Sequence, residues 1–223
     1  DNDGFRDIFI SNGFRRDIFD KDAQAAFGKF MRSPESRGNT DEQNAQHIIS
    51  LFQSNQLQNY LYQNNRNLTF TNKASDWGLD QKSFSNGAAV GDFDNDGDLD
   101  LVVNNVESEA FLYQNKAEKT TNNYLKIKLK GSKGNPFGLG AKITLKYQDQ
   151  IQYHDFKITR GYLSSVEPIA HFGLGETIIL DEVKVQWLDG KVNILKEVPA
   201  NQLLNINYNE AAPNKEPLIA ASA

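Results

Sequence analysis

Five carboxylates fall within nine residues in Asp92-Phe93-Asp94-Asn95-Asp96-Gly97-Asp98-Leu99-Asp100. On an extended strand, alternate side chains would point apart. A turn at Gly97 instead gathers the aspartates of the first, third, fifth and ninth positions around one point. Two such carboxylates about 5 Å apart repel by roughly 3 kcal/mol at an effective dielectric of about 20. Several of these penalties together demand a cation. Oxygen ligands, high negative charge and a glycine at the sixth position select Ca²⁺ over zinc or copper. Asp92, Asp94, Asp96 and Asp100 are expected to ligate through their side chains, and Asp98 through its backbone carbonyl. A bare Asp/Gly turn needs one or two aspartates, so five mark a metal loop.

The loop opens like an EF-hand and does not finish like one. An EF-hand carries a bidentate Glu at its twelfth position and a helix on each side; here the twelfth position is Val103. The exit, Leu101-Val102-Val103, is short, apolar and β-branched, and the entry, Gly87-Ala88-Ala89-Val90-Gly91, has no helical period. The loop therefore joins strands. A shortened copy opens the chain, where Asp1-Asn2-Asp3-Gly4-Phe5-Arg6-Asp7 and Ile8-Phe9-Ile10 align with Asp94 to Asp100 and its exit strand. Asp1, Asp3, Phe5 and Asp7 then take metal-ligand positions, with the first ligand expected before residue 1. The chain reads as a piece of something longer, and its repeat predicts units that bury their faces against one another.

A second phrase is also duplicated: Tyr60-Leu61-Tyr62-Gln63-Asn64 and Phe111-Leu112-Tyr113-Gln114-Asn115 each read as a strand ending in a Gln-Asn turn. A strand over residues 68–71 follows the first copy, and Trp77 is expected in the core. Residues 14–56 break the β pattern. Thr40 and Gln43 form a capping box ahead of a helix that places Ala45, Ile48, Ile49 and Phe52 on one face. Ala26, Phe27, Phe30 and Met31 predict a shorter helix, and residues 33–39 read as an exposed loop. Residues 116–123 read as a polar linker. Beyond it apolar residues alternate: Leu125, Ile127 and Leu129; Ala141, Ile143, Leu145 and Tyr147; Val183, Val185 and Trp187 before an Asp189-Gly190 turn; then Val192 and Ile194, and Leu204, Ile206 and Tyr208. Half-buried strands separated by turns predict an antiparallel sandwich over residues 118–210. The Ala/Pro-rich tail, residues 211–223, is expected to be loosely ordered.

Composition narrows the function. A net charge of −5 without a basic cluster argues against nucleic acid as a partner. No apolar run is long enough to span a membrane, and zero cysteines exclude disulfides and thiolate metal sites. His47 and His154 are isolated, so a transition-metal site is not expected. Calcium loops of extracellular modules bind at roughly 10⁻⁴ to 10⁻³ M, which points to calcium-rich surroundings.

One stretch invites catalysis. Arg160, Tyr162, Ser164, Ser165, Glu167 and His171 lie within twelve residues, and Ser and His near a carboxylate suit nucleophilic chemistry. No Gly-x-Ser-x-Gly elbow accompanies them, and His171 ahead of Phe172-Gly173-Leu174-Gly175 reads as fixing a turn. Arg160, Tyr162, Ser164 and His171 are therefore expected as structural or ligand-contact residues. Paired carboxylates of a glycosidase kind would here be held ionised by calcium, which opposes a role as proton donor.

The metal loop with its Gly-Ala-Ala-Val-Gly-Asp-Phe-Asp entry resembles the FG-GAP (VCBS-type) repeats of β-propellers. The phrase from Asn59 to Asn64 and on through Trp77-Gly78-Leu79 is similar to the propellers of the cartilage acidic protein family and its bacterial relatives. Four later motifs resemble the ASPIC/UnbV domain: Asn135-Pro136-Phe137-Gly138-Leu139-Gly140-Ala141-Lys142, Arg160-Gly161-Tyr162-Leu163-Ser164-Ser165, His171-Phe172-Gly173-Leu174-Gly175, and Val185-Gln186-Trp187-Leu188-Asp189-Gly190-Lys191. The resemblance implies a mainly β chain: terminal propeller blades over residues 1–117, with a helical insertion at about 14–56, followed by the β-sandwich. About two blades are present where a propeller closes with four to eight. The function implied is a calcium-binding, non-catalytic interaction module, secreted or lipid-anchored at an extracellular or outer-membrane surface, that meets a protein or glycan. An architectural subunit of an outer-membrane nutrient-uptake complex is the alternative, and a polysaccharide-active enzyme a more distant one. Loss of Asp94 or Asp96 is expected to weaken the first half and spare the second.

Overall fold

In a computed structural model that describes residues 1–214, the first half runs β1 (Ile8–Ile10), α1 (Lys21–Met31), α2 (Pro34–Gly38), α3 (Asp41–Leu51), β2 (Leu57–Gln58), β3 (Tyr60–Asn64), β4 (Phe70–Asn72), β5 (Lys82–Ser83), β6 (Ser85–Gly91), β7 (Asp100–Asn105) and β8 (Phe111–Tyr113). Each acidic loop feeds a short apolar strand that pairs antiparallel with a strand of the duplicated phrase. Ile8, Phe9 and Ile10 lie opposite Tyr62, Leu61 and Tyr60. Leu101, Val102 and Val103 lie opposite Tyr113, Leu112 and Phe111 in the same register. The sequence repeat is thus a repeat of hydrogen-bonded structure. Two three-stranded sheets result, β1-β3-β4 and β6-β7-β8.

The two units differ in the connection between the paired strands. Residues 106–110 join β7 to β8, whereas residues 11–59 separate β1 from β3 and carry all three helices. Asp20 caps α1, accepting from the amides of Asp22 and Ala23. The Thr40–Gln43 capping box is formed in both directions, at 3.3 and 2.9 Å. The segment read as an exposed loop, residues 33–39, is a one-turn helix with Ser33 as its cap and Pro34 in its first turn. Helix α3 is also rotated from the expected face. Ile48 and Phe52 are half-buried, but Ala45 is exposed and Ile49 is 49% exposed, while His47 stacks on Phe30 at 4.0 Å.

In the second half the strands are β9 (Asn123–Lys130), β10 (Lys142–Tyr147), β11 (Gln150–Asp155), β12 (Ile169–Gly175), β13 (Ile179–Gln186), β14 (Val192–Pro199) and β15 (Gln202–Asn207). They form a four-stranded sheet, β11-β10-β13-β14, and a three-stranded sheet, β12-β9-β15. One core joins the two sheets, with Leu125, Ile127, Ile143, Leu145, Val183 and Val185 among its fully buried members. The alternation read from the sequence is the inward face of these strands. Antiparallel pairing is not universal, because β15 runs parallel to β9. Ile194 departs from its expected place and is 47% exposed. Its neighbour Asn193 turns inward instead, accepting from the Trp187 indole at 2.6 Å. Further along β14, Glu197 has φ of 51°, and the strand keeps the same register with β13 on both sides of it.

The first half has no comparable apolar centre. Trp77, expected in the core, is 40% exposed. Strand β4 begins at Phe70, and Leu68 is left 98% exposed. Buried polar side chains hold the middle instead: the Ser85 hydroxyl receives from Asn59 at 2.9 Å, donates to Asn105 at 2.8 Å and meets Ser83 at 2.6 Å. The expected polar linker is anchored, with a 3₁₀ turn at Ala117–Lys119 and Ala117 buried. Of the expected tail, residues 215–223 lie outside the described residues. Ala212 exchanges backbone hydrogen bonds with Val192 at 2.8 and 2.9 Å.

Candidate metal centre

Both acidic loops adopt the same backbone. Asn2 and Asn95 have φ of 58° and 63°, and Gly4 and Gly97 have φ of 90° and 94°, left-handed values that asparagine and glycine accept most easily. In each loop an aspartate accepts the amide two residues on: Asp96 from Asp98 at 3.2 Å, Asp3 from Phe5 at 2.8 Å. The duplicated Gln-Asn pairs serve these loops. Gln114 donates to Asp94 and Gln63 to Asp1. The Asn115 amide donates to Asp100 at 2.8 Å and the Asn64 amide to Asp7 at 2.9 Å. The repeated phrase could have revealed this role from the sequence alone.

In the second loop Asp92, Asp94 and Asp96 bring carboxylate oxygens within 4.8 Å of one another. The Asp92 side chain is 1% exposed, and its Oδ1 has no hydrogen-bond partner. Its Oδ2 receives the Gly97 amide at 3.1 Å and the Lys126 ammonium at 2.5 Å. A buried carboxylate oxygen left bare is costly, and a hard cation among three carboxylates would satisfy it. The donor set fits Ca²⁺. Asp100 is placed differently from the other three, its two oxygens receiving the amides of Phe93 and Asn115. Asp98 is buried, and its Oδ2 receives the amides of Ala117 and Glu118 at 2.7 and 3.2 Å. Burial first, then the charge of Asp96, pushes the Asp98 carboxyl up to about 6. The first loop does not assemble a comparable group among the described residues. There the Arg66 guanidinium closes on Asp3, at 2.9 and 3.1 Å.

The second half forms one wall of the centre. Lys126 and Tyr124 lie on β9 and His171 on β12, where His171 pairs with Lys126 across the sheet. The Tyr124 and His171 rings stack at 5.9 Å. His171 therefore sits within a strand, not at the turn expected for it. Its Nε2 meets Asn2 Oδ1 at 2.8 Å while its Nδ1 is buried without a partner. Burial lowers its pKa to about 4, with Asp92 opposing and Lys126 adding to the shift, so the ring is neutral near pH 7. The remainder of the suspected catalytic stretch is a closed loop. Arg160 N donates to Ser164 O, the Ser164 hydroxyl donates to Tyr162 O at 2.7 Å, and Tyr162 is 66% exposed. Among the described residues no hydrogen bond joins Ser164 to His171. Lys126, Tyr124, Asn2 and Glu118 were not singled out from the sequence, because strand pairing and chain return bring them to the loop and no local motif marks them.

Comparison with known proteins finds one match in each half. Residues 48–103 match the FG-GAP-like repeat model, and residues 131–213 match the ASPIC and UnbV model. Cartilage acidic protein 1 of Xenopus tropicalis is 37% identical over 129 residues, covering 55% of this chain and 19% of that protein. The Mus musculus and Homo sapiens proteins of that name are each 35% identical over 138 residues, 58% of this chain and 21% and 20% of theirs. The matched part is about a fifth of the length of these curated relatives. The chain is mainly β, and it carries a segment similar to the FG-GAP-like repeat followed by one similar to the ASPIC and UnbV domain.

Proposed function

We propose that this chain is a calcium-loaded, non-catalytic interaction module of the extracellular space or cell surface, built from propeller-type blades and a β-sandwich. The observation that carries this reading is the buried, unpartnered Asp92 Oδ1 within a group of three carboxylates. Asp92, Asp94 and Asp96 would hold the ion, joined by the Asp98 carbonyl and Asp100. The ion would supply charge compensation and fix a loop that has few apolar contacts. In the first loop Asp1, Asp3, Asp7 and the Phe5 carbonyl take the matching places, and calcium there must compete with Arg66.

The engagements of Ser164 and His171 support a structural role for both. The names of the similar proteins support an extracellular setting, and no helix among the described residues is long and apolar enough to cross a membrane. The partner is a protein or glycan. The parallel rings of Tyr60 and Tyr62, 5.9 Å apart and 9° from coplanar, offer an aromatic face of the kind that sugars stack on. Calorimetry on the chelator-stripped chain tests the calcium reading. Saturable calcium binding with a raised melting temperature is expected, and Asp92→Asn should weaken it at least tenfold. Absence of binding would reduce the loop to a bare acidic turn.

A further inference from the structure

The loop holds more carboxylate than one ion needs. Besides the group of Asp92, Asp94 and Asp96, a second group forms from Asp96, Asp98 and Glu118, again with oxygens within 4.8 Å of one another. Asp98 is 1% exposed, and its Oδ1 has no hydrogen-bond partner. Its other oxygen is fixed by the amides of Ala117 and Glu118, so the carboxylate cannot swing out to water. Glu118, by contrast, is exposed and leaves one side open to water ligands.

The duplicated unit acts as an internal control. Aligning Gln63-Asn64 with Gln114-Asn115 places Arg66 opposite Ala117 and Asn67 opposite Glu118, while the loop alignment places Phe5 opposite Asp98 and Asp3 opposite Asp96. In the first unit the two extra carboxylates are missing and a guanidinium sits on Asp3. In the second unit the carboxylates are present, and among the described residues no lysine or arginine pairs with Asp96, Asp98 or Glu118. One unit carries its own positive charge at this spot. The other gathers negative charge there and offers none to balance it.

We infer that Asp96, Asp98 and Glu118 form a second position for a hard divalent cation, with Asp96 shared between two ions. This rests on the calcium reading of the first position. Calcium accepts six to eight oxygens and tolerates carboxylates that bind through one or both oxygens, so a shared aspartate and water ligands suffice. Because Glu118 lies in the segment between the halves, an ion here would tie that segment to the loop.

Calcium calorimetry on the chelator-stripped full chain tests the inference through an exposed residue whose change should not disturb folding. Glu118→Gln should bind one calcium fewer per chain than the wild type, while Glu107→Gln, an exposed carboxylate elsewhere, keeps the wild-type stoichiometry. Glu118→Lys should lose the same calcium and, in the absence of calcium, melt higher than the wild type, as its ammonium replaces the ion. Equal stoichiometry in wild type and both Glu118 variants would overturn the inference while leaving the first position standing. No calcium bound by any form would overturn both.

Discussion

His154 shows how a single buried ring makes this fold sensitive to pH. It lies on β11 with Nδ1 3.3 Å from the Arg6 guanidinium, and a guanidinium only donates, so the ring nitrogen accepts and the imidazole is neutral. Burial first, then Arg6 and Arg160, lower its pKa from 6.5 to about 4. The unfolded chain therefore takes up the proton before the folded one does. The stabilisation is complete above pH 6.5 and is lost as pH falls toward 4, by about 3 kcal/mol at most. His171 acts in the same direction. Urea unfolding at a series of pH values should show a shallower loss between pH 6.5 and 4 in His154→Gln than in the wild type. An unchanged slope would mean that the ring already titrates normally in the folded chain. Nothing in the sequence around His154 marked this role, because Arg6 is reached only when the loop at the start of the chain packs on β11.

At the scale of elements, the turn glycine of the metal loop serves two purposes that the sequence showed only in part. Its left-handed torsion follows from the motif. The sequence did not show that a Cβ on Gly97 would overlap the Tyr124 ring. Gly97→Ala should cost more than the roughly 1–2 kcal/mol of torsional strain alone. Adding Tyr124→Ala should return the steric part and leave the torsional part, a coupling that a double-mutant cycle reads directly. Additive losses would mean that the ring moves aside freely. Helix α3 was legible for the opposite reason, since capping is local: Thr40→Ala should cost α3 about 1 kcal/mol, seen as faster amide exchange in its first turn. Strand β9 was legible because Leu125, Ile127 and Leu129 alternate strictly. The Asn59–Ser83–Ser85–Asn105 network was not, because polar residues at the centre of a sheet read as loop until their partners are known.

For the whole molecule, the sequence suggested two halves that respond separately to loss of the loop, but the contacts between them argue for a joint response. Lys126 bonds to Asp92, Gly175 N donates to Asn2 O at 2.9 Å, and Asn122 donates to Asp1 O at 2.8 Å. Gly173 lies so close to Asn2 that a Cβ there would fall 2.6 Å from its backbone. These contacts run through both acidic loops, so ordering the loops stabilises the surface on which β9 and β12 rest. A ligand that binds only the folded state at a hundred times its Kd adds about 2.7 kcal/mol, and here that gain should reach the second half. Trp187 is buried in that half and Trp77 lies in the other, so Trp77→Phe leaves a single reporter far along the chain from the loops. Calcium should raise the melting temperature read from Trp187 fluorescence, and Asp94→Ala should reduce the rise. A Trp187 transition indifferent to calcium, with a shift seen only by probes in the first half, would show that these contacts are too weak to couple the halves.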